Sequence, residues 1–276
     1  MTFWIVGPVA WDSVVYVPEF LKPGAFTQGT RFIERTGGTG ANVARALCTA
    51  SVDTGFVGYL GNDNYAKILE EELKTSQINK LAITKIQGPT SHVLILVDNS
   101  GDRTILGLAA DHLDQVGLED VPLEPGDTVV FVLWREHFIK DLEIAKSKNC
   151  NVVVGLDAIN DALVSGVTLA IGSHNDVSSD FNPADYLDRF EKIVVTKGAE
   201  GATEFSKEAV VHQPALAAQV IDATGAGDAF LAGYLAAMAK NITVAEERLA
   251  LAAKWAAKTI ATESSVPPPF GTLNVD

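Results

Sequence analysis

The sequence predicts an α/β protein with a mainly parallel sheet covered by helices, and three observations lead there. Short apolar runs alternate with helical patterns along most of the 276 residues, as crossover connections between parallel strands require. Glycines follow several of these runs, where a chain leaving a strand must turn. The composition, 47% hydrophobic and 20% charged, suits one large α/β domain, or one with a small attachment, around a substantial core.

In order, residues 3–6 form the first strand candidate. Residues 13–17 and 30–34 follow as short strands without a helix between them. A helix over 41–50 leaves a glycine cluster, and 55–60 reads as a strand. Asn62 to Asn64 offer capping side chains to a helix in which Tyr65, Ile68, Leu69 and Leu73 share one face. Residues 81–86, 91–97 and 103–106 again read as short strands joined by turns. With the first pair they form a small separate sheet, a lid made of segments at about 12–35 and 81–107 inserted into a single domain over 1–276. The other arrangement is extra edge strands on the main sheet, because periodicity does not give strand order. Strands over 128–133, 152–156, 167–171 and 193–196 follow, with a helix over 138–148 between the first two. Helices over 227–239 and 243–262 come next, the first packing through a stripe of Phe230, Gly233, Tyr234 and Ala237. Three consecutive prolines in 264–270 end the folded unit.

A net charge of −14 argues against a nucleic-acid partner, since no cationic field is available to displace counterions. Cys48 and Cys150 match no metal spacing and read as buried thiols of a reducing compartment. The first 17 residues lack a basic flank and contain Asp12, a poor signal peptide, and no stretch is long and apolar enough to span a bilayer. These features lead to an expectation of a cytoplasmic protein without membrane contact.

The most informative segment, 222–230, reads Asp-Ala-Thr-Gly-Ala-Gly-Asp-Ala-Phe. Small residues where a loop becomes a helix let several backbone N–H groups converge on an anion. Asp228, in the first helical turn, is placed to take a proton from a hydroxyl while those amides hold phosphoryl oxygens. The alternative is a plain helix entry capped by Asp228. In a second cluster, Gly37, Gly38 and Gly40 precede Asn42, whose amide both donates and accepts. With Asp12, which follows the first strand and Gly7, they suggest a polyol site. Thr196, Gly198 and Gly201 form a third cluster at a strand end, an ordinary turn by itself and a usual ligand position in an open α/β fold.

The order and spacing of Asp12, the Gly37–Gly38–Asn42 cluster, residues 58–63, the turn at 196–201 and the segment 222–228 resemble the ribokinase-like carbohydrate kinases, the PfkB family, across nearly the whole chain. The resemblance implies a three-layer α/β/α domain with a β-sheet lid and ATP-dependent phosphorylation of a sugar-like primary hydroxyl. It implies Asp228 as general base, with the amides of Gly225, Ala226 and Gly227 as the anion hole. Asp12, Gly37, Gly38 and Asn42 hold the acceptor. Thr196 and Gly198 contact nucleotide phosphates, with Asn175 nearby, and Gly201 shapes the turn. A monovalent cation such as K+ is implied at the carbonyls of Asp222 and Thr224, as is a homodimer through the lid. Mg2+ and a closed lid complete the chemistry. A nucleoside kinase, whose ribose uses the same Asp and Asn, and a catalytically silent sugar- or nucleotide-binding protein are the alternatives.

The chain has no P-loop, so lysine-assisted nucleotide binding of that kind is not expected. It departs from the family pattern in several places. Many members carry Asn, two residues, then Glu before the nucleotide turn; here the stretch from His174 reads His-Asn-Asp-Val-Ser, so Ser178 stands where Glu is expected and Asp176 or Asp180 is left to substitute. Tyr65 stands where a glycine is expected. Trp134, Arg135 and Glu136 end a strand near the expected pocket and read as an exposed strand-end trio, or else as residues that select the substrate. Arg103, in a Gly-Asp-Arg-Thr turn, reads as a solvated hairpin charge, or else as a contact for an acidic or phosphorylated substrate.

Overall fold

The computed structural model describes residues 1–109 and 111–273. Its strands are β1 (Phe3–Val6), β2 (Ala10–Tyr16), β3 (Arg31–Gly37), β4 (Thr54–Leu60), β5 (Lys80–Lys85), β6 (His92–Val97), β7 (Arg103–Gly107), β8 (Thr128–Phe131), β9 (Asn151–Gly155), β10 (Val167–Ser173), β11 (Phe190–Thr196), β12 (Ala202–Ser206) and β13 (Val210–Gln213). The α-helices are α1 (Thr39–Thr49), α2 (Asn64–Thr75), α3 (Ile139–Ser147), α4 (Ala226–Ala239) and α5 (Ala245–Ile260).

A nine-stranded sheet runs β13-β12-β11-β10-β9-β8-β1-β4-β5. Every pairing from β5 across to β11 is parallel, and β12 and β13 close that edge antiparallel. Alternation along β1 shows how both faces are filled: Phe3 and Ile5 belong to one buried cluster, Trp4 and Val6 to the other. The first cluster takes in buried side chains of α1, α2, α4 and α5, and the second those of α3 and of residues 113–123. The result is a three-layer α/β/α sandwich with both sheet faces buried. Helix α4 is buried on every side from Ala229 to Ala237 rather than along one stripe. It lies between α1, α5 and the sheet, and its run of alanines and Gly233 permits the close approach: a Cβ at 233 would stand 2.7 Å from the Ala252 Cα.

The small sheet is a four-stranded unit, β3-β2-β6-β7, with its own buried cluster of Val14, Ile95 and Val97. The strand expected in it over 81–86 is instead β5, the edge of the large sheet, pairing with β4. In α2, Leu69 and Leu73 are buried but Ile68 is 44% exposed; the inward face passes through Ala66 instead. Asp63 caps this helix, accepting from Ala66 N–H at 2.9 Å, and also receives the Thr90 hydroxyl at 2.7 Å. Cys48 and Cys150 are free and half-buried. No helix among the described residues is long and apolar enough to cross a membrane.

The proline-rich tail does not end the folded unit. Trp255 Nε1 donates to the Pro268 carbonyl at 2.8 Å, Phe270 N–H donates to Thr49 Oγ1 at 2.9 Å, and Ser265 is buried. Helix α5 already ends at Ile260, before the prolines, whose fixed φ suits an extended strap laid back over α1 and α5.

Candidate active site

Chain order reverses between β1 and β8: β1 leads outward to β4 and β5, while β8 leads the other way to β11. An open parallel sheet leaves a crevice beyond the carboxyl ends of the strands at such a switch. Pro8, just past β1, and Leu133, just past β8, line a cavity of about 410 Å³ there. At its other end, α4 lines a separate cavity of about 300 Å³ through Tyr234 and Met238, together with Thr168, Leu169 and Lys192 from the early parts of β10 and β11. The helix therefore runs against the strands, and its N-terminus points at the crevice.

That N-terminus is the loop singled out by sequence. Gly225 is the N-cap, at φ +81°, and gives no side-chain cap, so the first-turn N–H groups remain for another partner. A Cβ at 225 would lie 2.2 Å from the Ser265 carbonyl oxygen, whereas one at 227 meets nothing within 4 Å. The first glycine is thus demanded by conformation and crowding, and the second leaves open space before the helix end. Thr224, Gly225, Gly227 and Asp228 all line the 410 Å³ cavity. Thr224 N–H donates to Asp222 Oδ1 at 2.8 Å, while the buried Thr224 Oγ1 has no partner among the described residues.

Asp12, Gly38 and Asn42 line the same cavity. Asn42 Nδ2 donates to Asp228 Oδ2 at 2.8 Å, fixing the carboxylate, and Asn42 Oδ1 is left unpaired. Gly37 lies outside the lining and serves Asp12 instead: a Cβ at 37 would stand 2.2 Å from Asp12 Oδ2. Gly38, at φ +91°, lets the chain pass the backbone of residues 8–10. Sequence reasoning missed Arg35, which faces Asp12 across the β2–β3 pair. Its Nε lies 3.9 Å from Asp12 Oδ2, and its Nη1 3.0 Å from Asp222 Oδ2. Where the resemblance implied a monovalent cation, the Asp222 side chain is thus already paired with a guanidinium.

The small sheet supplies a wall of the cavity through Val93, Ile95, Arg103 and Ile105. Arg103 therefore faces the crevice rather than standing apart on a solvated hairpin, and its charge acts on Asp228. His92, also in the wall, lies 2.9 Å from the Ser13 hydroxyl. Tyr65 makes an aromatic bracket, stacking on Trp11 at 5.2 Å and meeting His92 edge-on at 5.0 Å. The residue that departs from the family pattern thus ties α2 to the small sheet.

Three aspartates near one arginine set the electrostatics. Burial pushes the Asp12 carboxyl up to about 7; Arg35 pulls it down, while Asp228 and Asp222 push it further up. Burial also raises Asp228, against hydrogen bonds from Asn42 and Thr39 and the charge of Arg103.

The third predicted cluster lies outside this cavity, at the ends of β10 and β11. Thr196 Oγ1 donates to the Gly172 carbonyl at 3.2 Å, and Gly198 and Gly201 have φ of +52° and +98°. Asn175 sits in a single 3-10 turn, its N–H 3.2 Å from Ser173 Oγ. Asp176 closes a capping box there, taking the Ser173 N–H at 2.7 Å. Asp157, absent from the sequence reading, stands at the end of β9, accepts the Trp134 N–H at 3.0 Å and is raised by burial, with Asp176 adding repulsion. Each carboxylate keeps lone pairs for a hydrated divalent ion. Of the trio after β8, Glu136 is exposed as expected and Arg135 half-exposed, but Trp134 is not. Trp134 is 6% exposed and donates to Asp161 at 3.1 Å, and Arg135 pairs with Asp111 at 2.8 Å.

The model of the pfkB family of carbohydrate kinases matches residues 4–269. The fructosamine kinase FrlD of Bacillus subtilis is 28% identical, over 81% of this chain and 83% of its own. A nucleoside kinase of Methanocaldococcus jannaschii is 27% identical, over 86% and 83%. Among solved structures, the nucleoside kinase of Burkholderia thailandensis in complex with inosine superposes with a TM-score of 0.84 at 17% identity, covering 99% of this chain and 96% of that one. A family match across nearly the whole sequence, on a fold whose switch-point crevice brings together Asp12, the 38–42 segment and the 224–228 turn, makes this chain a member of the pfkB family of carbohydrate kinases, which are ATP-dependent.

Proposed function

We propose that the protein transfers the γ-phosphoryl group of ATP to a primary hydroxyl of a sugar or sugar-like molecule, with Asp228 as the general base. The observation that carries this reading is the shared cavity: Asp12, Asn42, Asp228 and the turn at 224–227 all open onto one space. The acceptor lies against Asp12, whose carboxylate receives two of its hydroxyls, while Asn42 orients both acceptor and base. Asp228 removes the proton from the attacking oxygen. The amides of Gly225, Ala226 and Gly227, at the positive end of α4, stabilise the charge on the phosphoryl oxygens.

The nucleotide lies across the turn of Thr196 and Gly198, with Gly201 and Asn175 shaping its edge. Mg2+ bound to the phosphates supplies charge neutralisation, and Asp157 and Asp176 are the acids suited to hold its waters.

The wall formed by Val93, Ile95, Ile105, Leu113 and Leu133 supports a second reading, in which an apolar or aromatic group such as a nucleoside base extends from the sugar. Phe32 and Leu106, each 58% exposed on the small sheet, support a dimer through that sheet, which sedimentation would detect. Following ADP release from Mg2+-ATP with a panel of hexoses, pentoses, sugar amines and nucleosides tests the assignment. Turnover confined to one class identifies the acceptor, and saturable binding of ATP and acceptors without turnover would leave a silent binder.

A further inference from the structure

The phosphoryl-facing turn is built from two chain segments that a single side chain joins. Asp222 begins the turn and is fully buried. Its carboxylate receives Thr224 N–H on one oxygen and Arg35 Nη1, at 3.0 Å, on the other. The same Nη1 donates to the backbone carbonyl of Glu263. Two residues further on, the Ser265 carbonyl lies against Gly225. Arg35 stands on β3 of the small sheet, opposite Asp12, so one guanidinium bridges the small sheet, the turn and the strap behind it. A carboxylate and a backbone carbonyl from separate segments are the hard oxygen donors that a small cation would gather. Here they are gathered by an arginine.

We propose that the Arg35 guanidinium is the built-in cation of the 222–225 turn, holding its shape and neutralising Asp222, so that the protein works without a bound monovalent cation. The inference rests on the kinase reading above. Its physical basis is that an unpaired buried carboxylate at the root of an anion-binding turn opposes the incoming phosphates and the folding of the turn. Arg35 removes that charge with a planar donor that cannot be deprotonated. Its remaining nitrogens, Nε and Nη2, are buried without hydrogen-bond partners among the described residues. The guanidinium is therefore retained at a cost in unsatisfied donors, which a side chain serving packing alone would not incur. Arg35 is a positioning residue: it acts on phosphate through the turn.

The test measures melting temperature and ADP release for the wild type, Arg35→Met and Arg35→Lys in KCl and in choline chloride of equal ionic strength. The wild type and Arg35→Lys are expected to behave alike in both salts. Arg35→Met is expected to melt lower in choline, to be raised by K+, and to lose at least tenfold in turnover with partial recovery in K+. Arg35→Gln, which keeps a donor without the charge, replaces Arg35→Met if that variant does not fold. A wild type that K+ stabilises or activates several-fold overturns the proposal. So does a neutral variant whose melting temperature ignores K+, because Arg35 is then only a strut. Melting requires no acceptor, so a protein inactive on every substrate would sink the kinase reading and leave this comparison readable.

Discussion

Two arginines flank α4, the half-buried Arg35 near one end and the buried Arg248 near the other, and they are partnered in opposite ways. Near the C-terminal end, Arg248 spends all its nitrogens: Nε on the Tyr234 hydroxyl at 3.1 Å, Nη1 on the carbonyls of Ile242 and Thr243, and Nη2 on Glu204. Tyr234 in turn donates to Glu204 at 2.8 Å. At the N-terminal end, Arg35 faces two carboxylates and leaves Nε and Nη2 without a hydrogen-bond partner among the described residues. A closed network specifies structure, whereas an open one behind an anion-binding turn is kept for what it does to that turn. The contrast separates residues that hold α4 in the sandwich from residues that prepare its N-terminus for chemistry.

The most severe break in this contrast is Asp228→Asn. Turnover should fall by about 10²- to 10⁴-fold, as for loss of a general base, with little change in melting temperature because the amide still pairs with Asn42; undiminished turnover would remove Asp228 from the mechanism. Arg248→Met tests the opposite end. Stripping a buried carboxylate of its partner costs about 3–5 kcal/mol, so denaturant unfolding should report a large loss while the protein that remains folded keeps its kcat. A collapse of kcat at unchanged stability would reverse the roles assigned to the two ends.

Asp12→Asn sharpens the comparison through pH. The Asp12 carboxyl titrates at about 7 in the folded protein against 3.8 when free. The folded state thus binds the extra proton between those values, and this group's contribution to stability falls as pH rises through that window and is level above it. The variant should melt with the wild type near pH 4 and increasingly above it up to about pH 7, while binding acceptor more weakly. A gap that ignores pH would mean that Asp12 is not the strained group. The smallest effect is expected from Gly227→Ala. With nothing within 4 Å of the added methyl, stability should stay within about 0.5 kcal/mol, and a fall in turnover at that unchanged stability would show the methyl standing where phosphate must come.

What the sequence made legible was local. The Gly225–Asp228 helix entry, the Asn42 position one turn into α1 and the parallel strands from β4 through β1 to β11 are written in contiguous residues, because turn geometry and burial act over short spans. What escaped depends on pairing across the fold. Arg35 meets Asp12 only through the β2–β3 register, and β5 belongs to the large sheet only because β4 lies beside it. Asp157 gains its character from burial and from Asp176 in the turn after the neighbouring strand β10. Trp134 was read as exposed because a strand end carries no mark of the layer above it. Arg103 shows the same limit: its turn was visible, the crevice it faces was not.

The strap of residues 264–270 has a practical consequence. By setting the Ser265 carbonyl against Gly225 and anchoring itself through Pro268 and Phe270, it serves as a backstop for the anion-binding turn. Deleting from residue 264 onward would take one side chain, that of Ser265, from the cavity lining, and it should also slacken the turn from behind. Affinity tags and fusion partners are therefore best kept clear of this stretch, because a pull on the tail is transmitted to the place where phosphate must be gripped.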